Sequence, residues 1–102
     1  MLVIKNYKKI RNQYFGNWQI GRIEEMKDCY ALQAFSTIEK KSITMVILRE
    51  PIVNEAEWDT AYQISLVEDN GSSNIIEDII YHSVLEDMDM FGESLVHYLN
   101  TL

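Results

Sequence analysis

Residues 43–48 have the sequence Ile-Thr-Met-Val-Ile-Leu, an apolar run that follows Lys40-Lys41 and stops before Pro51. A run of this length, rich in β-branched residues and closed by a proline, is typical of a buried strand. A half-solvated strand would alternate polar with apolar residues, so we expect both faces of this strand to be covered. The sequence therefore places residues 43–48 at the centre of a sheet.

Three further segments alternate polar and apolar residues at the period of a strand. They cover residues 18–22, 29–37 and 62–66, and Tyr30, Leu32 and Ala34 share one face of the second. Short polar links, such as residues 26–28, join the first three strands of the predicted sheet. Successive strands joined in this way pair most simply as an antiparallel meander.

Helical spacing is present at both ends of the chain. Near the start it predicts a basic amphipathic helix over residues 4–15, although residues 2–4 could instead begin as a short edge strand. Asn54 is suited to cap a short helix over residues 54–58. Towards the end, Ser73 begins a pattern that gives the stripe Ile76, Ile80, Val84 and Met88.

A further helix is predicted over residues 93–102, and residues 87–92 either separate two helices or belong to one long helix. The expected fold is α+β: a small antiparallel sheet of about four strands, with C-terminal helices packed on one face and a possible N-terminal helix. With 102 residues, 47% of them hydrophobic, the chain fits a single domain spanning residues 1–102.

Cysteine content and hydropathy bear on the location of the protein. Cys29 is the only cysteine, so no internal disulfide can form and we expect a buried thiol in a reducing compartment. The first residues lack the charged region of a signal peptide, and no stretch approaches the roughly 18 apolar residues of a membrane span. We expect a cytoplasmic protein with no membrane partner.

The two halves of the chain carry opposite charge. Residues 1–49 hold all nine Lys and Arg and four acids, whereas residues 50–102 hold twelve acids and no Lys or Arg. The formal charges are therefore +5 and −12, which give the net charge of −7. Acids without nearby cations must face water, the basic half of the chain or another molecule.

The candidate partner-binding surface lies in the acidic half. If one helix continued through residues 78, 82, 86, 89 and 93, these positions would share a face, since neighbours on that face are three or four residues apart. Met88, Met90 and Phe91 lie between the acids, where core packing is favoured over the alternative of an adaptable apolar docking patch. The predicted partner-binding residues are Glu77, Asp78, Glu86, Asp87, Asp89, Glu93 and Met90.

Catalytic and cofactor sites receive less support. Asp78, His82 and Glu86 have the spacing of a one-helix metal site, but no second histidine or cysteine lies nearby, so we expect neither metal nor cofactor. His82 and His97 are far from Cys29 in sequence, which gives no support for a Cys-His pair. No phosphate loop or hydrolase motif is present. We do not expect an enzyme.

Direct nucleic-acid binding is also disfavoured. The predicted first helix is basic and aromatic, but its aromatics fall at core spacing and the overall charge repels phosphates. Carboxylates on helices can instead resemble a row of phosphates to a basic nucleic-acid-binding protein or nuclease. We therefore expect a small acidic inhibitor, comparable by class alone to immunity, anti-restriction and anti-CRISPR proteins.

Two other functions remain open from the sequence. The complementary charges of the halves would suit a structural or assembly protein that self-associates, for example as a homodimer. A metal-dependent enzyme that uses Asp78, His82 and Glu86 is the least favoured hypothesis.

Overall fold

The computed structural model describes residues 2–4, 13–52, 59–69 and 75–101. Within them, six antiparallel strands pair in chain order and form one sheet that curls into half of a barrel. A short helix and a longer helix follow the last strand. The elements are β1 (Tyr14–Phe15), β2 (Trp18–Glu25), β3 (Cys29–Ser36), β4 (Lys41–Leu48), β5 (Ala61–Glu68), β6 (Ile75–Tyr81), α1 (His82–Glu86) and α2 (Met88–Thr101).

The α+β class, the antiparallel meander and the C-terminal helix are confirmed. The four predicted strands correspond to β2, β3, β4 and β5. The predicted strand number is too low, because β1 and β6 extend the sheet to six strands. On β3, Tyr30, Leu32 and Ala34 are buried together as predicted, while Phe35 is exposed.

β4 lies inside the sheet, between β3 and β5, but only one of its faces is fully covered. Ile43, Met45 and Ile47 are at most 1% exposed, whereas Leu48 on the opposite face is 38% exposed. The prediction that both faces are buried is therefore wrong. The helices cover one side of this antiparallel sheet, so the apolar run of β4 supplies core residues at alternate positions only.

A β-bulge allows β2 to extend beyond its predicted end. The pairing of β2 with β3 shifts register between Ile20 and Ile23. Because the bulge adds a residue to one strand, both isoleucines face the core although they are three positions apart. The strand therefore continues through Gly21 to Glu25 instead of ending near Arg22.

The helix predicted from Ser73 is wrong over residues 75–81, which form β6. The isoleucine pairs at 75–76 and 79–80 fit both a helical and a strand pattern. Ile76 pairs with Leu66 and Ile80 with Tyr62 on β5, so the isoleucines complete the sheet. β-branched side chains pack well on a pleated surface, and this tertiary pairing overrides the helical spacing.

α2 crosses the covered face of the sheet and contacts both of its edge strands, β1 and β6. Gly92 lies against Phe15 of β1, and the Tyr98 hydroxyl donates a hydrogen bond to the Ile79 carbonyl of β6 at 3.3 Å. The helix thus closes the open side of the half-barrel. Its core side chains are Phe91, Leu95, Tyr98 and Leu99. Within the described ranges, no helix combines the length and apolar character needed to cross a lipid bilayer.

The predicted N-terminal helix is only partly testable. Residues 5–12 lie outside the described residues, as does the helix predicted over residues 54–58. Residues 14 and 15 form a strand, so the predicted helix does not reach its expected end. Leu2 and Ile4 are buried on either side of an exposed Val3, an alternation typical of extended chain.

Candidate functional site

The predicted acidic surface residues occupy β6, α1 and the beginning of α2. All six acids are exposed, and Met90 is 46% exposed. Phe91 is 1% exposed and belongs to the core, so it takes no part in an apolar docking patch. The acids are Glu77 and Asp78 on β6, Glu86 on α1, Asp87 between the helices, and Asp89 and Glu93 on α2.

These residues do not share one helical face. Asp78 lies in a strand, and the chain is extended at Asp87, with φ −103° and ψ 114°. Adjacent strand residues point to opposite faces, so Glu77 lies on the outer face and Asp78 on the face that α2 covers. On α2, Asp89 and Glu93 keep the predicted four-residue spacing and remain neighbours on the helix surface.

Asp87 begins α2 by capping it. Its Oδ1 atom accepts hydrogen bonds from the backbone N–H groups of Asp89 and Met90, at 3.0 and 3.2 Å. Its carbonyl accepts the N–H of Phe91 at 2.8 Å. The carboxylate therefore satisfies helix donors that have no partner within the helix. The boundary between the two helices lies at Asp87, so of the two alternatives predicted for residues 87–92 the structure has two separate helices.

Glu86 and Asp59, two further acids near α1, also make polar contacts. The His82 Nε2 and Glu86 Oε1 atoms are 2.7 Å apart, and the Ser83 hydroxyl donates to Asp59 Oδ2 at 2.6 Å. This hydroxyl hydrogen bond holds the pKa of Asp59 below its ordinary value. Desolvation opposes the effect, while the N–H groups of Thr60 and Ser83 and the charge of His82 reinforce it.

The weak candidate for a one-helix metal site, Asp78, His82 and Glu86, does not lie on one helix. Only the latter two residues lie on α1, because Asp78 precedes it on β6. The Asp78 Oδ1 atom accepts the N–H of Ile79 at 2.8 Å. Across residues 2–4, 13–52, 59–69 and 75–101, no group of three His, Cys, Asp or Glu side chains is arranged to hold a metal ion.

Cys29 is half-buried and free, not fully buried as predicted. Its Sγ atom lies 3.7 Å from the Met26 Sδ atom, which is a weak sulfur contact across the β2–β3 turn. The thiol is therefore a local packing element of the turn.

Two first-half arginines form ion pairs with acids of the same half of the chain. Arg22 pairs with Glu24, and Arg49 with Glu25, so these arginines neutralise acids of their own half. In the described part of the chain, none of the six candidate acids makes an ion pair with Lys or Arg. Among them, Glu86 contacts His82, and Asp87 accepts hydrogen bonds from helix N–H groups.

One pair of these acids borders a groove of about 560 Å³ between the β1–β2 hairpin and α2. Asp89 and Glu93 form its helix side and Tyr14, 70% exposed, stands on its strand side. None of the described residues that line the groove is a lysine or arginine. The remaining lining residues are Phe15, Gly16, Gly92 and Val96.

Two glycines give the groove its shape. Gly92 is buried, and a Cβ atom there would overlap the Phe15 ring. Gly16 has φ +61°, in the left-handed region that favours glycine, and it lies against Val96. The hairpin can therefore approach α2 closely along one side, and Tyr14 lines the same groove as Asp89 and Glu93.

The sequence predicted Asp89 and Glu93 as binding residues but assigned Tyr14 to the core of a helix. The hairpin that exposes Tyr14 has a detectable signal, since Gly16-Asn17 lies between two aromatic residues and suits a tight turn. Gly92, which contacts the hairpin at Phe15, is 77 positions from that residue, and no local signal indicates the contact.

Comparison of the chain with protein-family models, with curated proteins and with solved structures gave no match.

Proposed function

We propose that this protein is a small, non-enzymatic inhibitor of a basic nucleic-acid-handling protein, such as a nuclease. It binds that partner through the carboxylates of its C-terminal half and blocks access of nucleic acid to the partner's basic cleft. This is the mode of action of some immunity, anti-restriction and anti-CRISPR proteins, to which the comparison is by class alone.

The observation that carries the proposal is that the six candidate acids have no Lys or Arg partner among the described residues. Residues 50–102 contain twelve acids and no Lys or Arg. The six candidate acids are exposed and have no Lys or Arg partner in the described ranges. Such a surface presents an uncompensated negative field, which accelerates association with a positively charged cleft and favours it over other surfaces.

The structure also refines which acids we propose for contact. Asp87 is occupied by helix capping and Glu86 by His82. Glu77 and Asp78 lie on opposite faces of β6. Asp89 and Glu93 are adjacent, exposed and free of side-chain partners in the described chain, so we place the centre of the contact there.

Competition with nucleic acid tests the proposal. A partner is first obtained by affinity capture from the native host, and its binding to labelled DNA and RNA is then measured while this protein is added. We expect nucleic acid to be displaced and any nuclease activity to fall, because both ligands require the same basic cleft. Simultaneous binding of this protein and nucleic acid, with activity unchanged, would contradict the proposal.

Self-association is a second candidate because the outer face of the sheet exposes apolar side chains. Phe35, Leu48 and Val67 are 38%, 38% and 36% exposed on strands β3, β4 and β5. Mass measurement by light scattering at rising ionic strength separates the mechanisms. An assembly held by the opposite charges of the two halves dissociates as salt screens them, whereas one held by this apolar face persists.

A further inference from the structure

We propose that the groove between β1 and α2 is an arginine-binding site, which receives a guanidinium group of the partner between Tyr14 and the carboxylates of Asp89 and Glu93. This inference rests on the proposed function and names the chemical group recognised at its centre. It commits to arginine on a basic protein, and not to lysine, to a metal ion or to a second copy of this chain.

Charge complementarity is the first argument. Asp89 and Glu93 are four residues apart on α2, so their side chains are neighbours on the helix surface. Both are exposed, and neither has a side-chain partner in the described part of the chain. The described lining of the groove that they border includes no cationic side chain. A positively charged group is therefore the ligand that this groove favours.

The aromatic ring of Tyr14 offers a second attraction for a cation. Tyr14 is 70% exposed, as much as any large hydrophobic side chain in the described residues. It is carried by a two-residue edge strand beside the acids. An aromatic face attracts a cation within about 6 Å of its centre. Tyrosine and arginine are also enriched among the residues that dominate binding energy at interfaces.

The shape of the groove distinguishes arginine from lysine. A guanidinium is planar, stacks on an aromatic face and donates in a fork that matches carboxylates, whereas an ammonium is a compact point charge. The groove offers an aromatic wall and two neighbouring carboxylates in about 560 Å³. The buried contact of Gly92 with Phe15 fixes the wall to the helix before any ligand arrives. A preformed groove lowers the entropy cost of binding.

The test is an NMR titration with a defined probe, the acetylated and amidated peptide Gly-Arg-Gly-Arg-Gly, against its lysine counterpart. We expect shifts in the backbone amides of residues 14–16 and 89–96, with the arginine peptide binding more tightly. Asp89→Asn with Glu93→Gln should weaken binding by about tenfold, because the two substitutions remove both carboxylate charges that attract the guanidinium. Asp28→Asn with Glu39→Gln, on exposed turns after β2 and β3, should leave it unchanged.

Tyr14 has its own matched variants. Tyr14→Leu removes the aromatic face and should weaken arginine-peptide binding about threefold, whereas Tyr14→Phe retains the face and should preserve it. Thermal unfolding of each variant reports whether the fold is intact. Equal loss in both variants would overturn the role of the ring.

The outcomes also separate this inference from the proposed function. Shifts confined to Glu77, Asp78 and Glu86, equal binding of both peptides, or no binding at all would overturn the arginine site while partner inhibition could still hold. Conversely, the NMR shifts in the groove could respond to the variants while neutralising the acids leaves binding of the captured partner unchanged. That result would support the arginine site and contradict the proposed inhibitor.

Discussion

The guanidinium of Arg49 connects three segments of the chain. Its Nε atom donates to the Leu2 carbonyl at 2.9 Å, and Nη1 donates to the Met26 carbonyl at 2.7 Å. Nη2 lies 3.3 Å from a Glu25 oxygen, and the group lies over the Tyr30 ring at 5.0 Å from its centre. A buried cation is tolerated because every face of it meets an acceptor or an aromatic ring.

Arg49→Lys should therefore lower the free energy of unfolding by about 2 kcal/mol, because an ammonium cannot reach both carbonyls and the ring in the same geometry. Urea denaturation measures the change. The matched control is Arg22→Lys, an exposed arginine paired with Glu24, which should change stability by less than about 0.5 kcal/mol. Equal effects at the two sites would show that Arg49 does not clamp the fold.

Tyr98 gives a pH-dependent test at the same scale. Burial, with a smaller effect from the charge of Asp78, raises the pKa of Tyr98 above its ordinary value. Because the folded pKa is raised, this contribution to stability is complete below about pH 10 and is lost as the pH rises through the folded value. Tyr98→Phe should make the fall in stability above pH 10 less steep.

At neutral pH the same Tyr98→Phe substitution should cost about 1 kcal/mol, for the hydrogen bond to Ile79. Burial also raises the pKa of Tyr62. Part of the fall in stability at alkaline pH should therefore remain in the Tyr98→Phe variant. Urea midpoints measured from pH 7 to 11 provide the data, with exposed Tyr14→Phe as the control. An alkaline slope unchanged in Tyr98→Phe would contradict the assignment.

The sequence allowed the chemistry of these residues to be predicted but not their partners. Arg49 directly follows the apolar run 43–48, and the sequence identifies it only as one of the nine Lys and Arg of the first half. Its acceptors, Leu2 and Met26, are 47 and 23 positions away. Only the folded meander brings their carbonyls together, so no local pattern could indicate the clamp.

At the scale of elements, the packing of α2 on β1 depends on Gly92. Ala is favoured over Gly by about 1 kcal/mol in a helix interior, but here its methyl group would overlap the Phe15 ring. We expect Gly92→Ala to destabilise the protein by about 1 kcal/mol net, since overpacking costs more than the helix gains. In a Phe15→Ala background the same change should become stabilising. Chemical denaturation of the four proteins completes a double-mutant cycle, and additive effects would contradict the contact.

The start of α2 depends on the Asp87 side chain. Asp87→Ala should cost about 1 kcal/mol, whereas Asp87→Asn should cost only a few tenths because the amide oxygen still accepts the helix N–H groups. Thermal or urea unfolding measures both variants. A large loss in Asp87→Asn would indicate that the negative charge, and not the capping hydrogen bonds, stabilises this end.

A segment whose apolar residues fit the spacing of only a helix or only a strand could be assigned from sequence. A segment whose apolar residues fit both spacings could not. β3 and β5 alternate clearly and were placed correctly. The isoleucines of β6 satisfy both helical and strand spacing, and pairing with β5 decides between them. The misplacement of this one element also created the false helix face that joined Asp78 to Glu86 and the false metal arrangement.

At the scale of the whole molecule, the charge imbalance was visible in the sequence, but its distribution in space was not. The change from helix to strand at residues 75–81 places Glu77 and Asp78 on two faces of the sheet. Of the predicted acidic surface, Asp89 and Glu93 remain neighbours on α2. The β1–β2 hairpin adds Tyr14 to the groove that they border.

The most direct measurement of the central claim is a comparison of three proteins in affinity capture from the native host, with quantitative mass spectrometry at low and at about 0.5 M salt. The first is the natural protein. The second combines the substitutions Glu86→Gln, Asp89→Asn and Glu93→Gln. The third is a control that combines Asp28→Asn, Glu39→Gln and Glu50→Gln. Each triple variant removes three exposed negative charges.

We predict that the natural protein and the control capture the same basic nucleic-acid-handling protein at low salt, that high salt releases it, and that neutralising the helix acids abolishes its capture. Capture of an identical set of proteins by all three, at either salt concentration, would contradict the claim that these carboxylates form the binding surface.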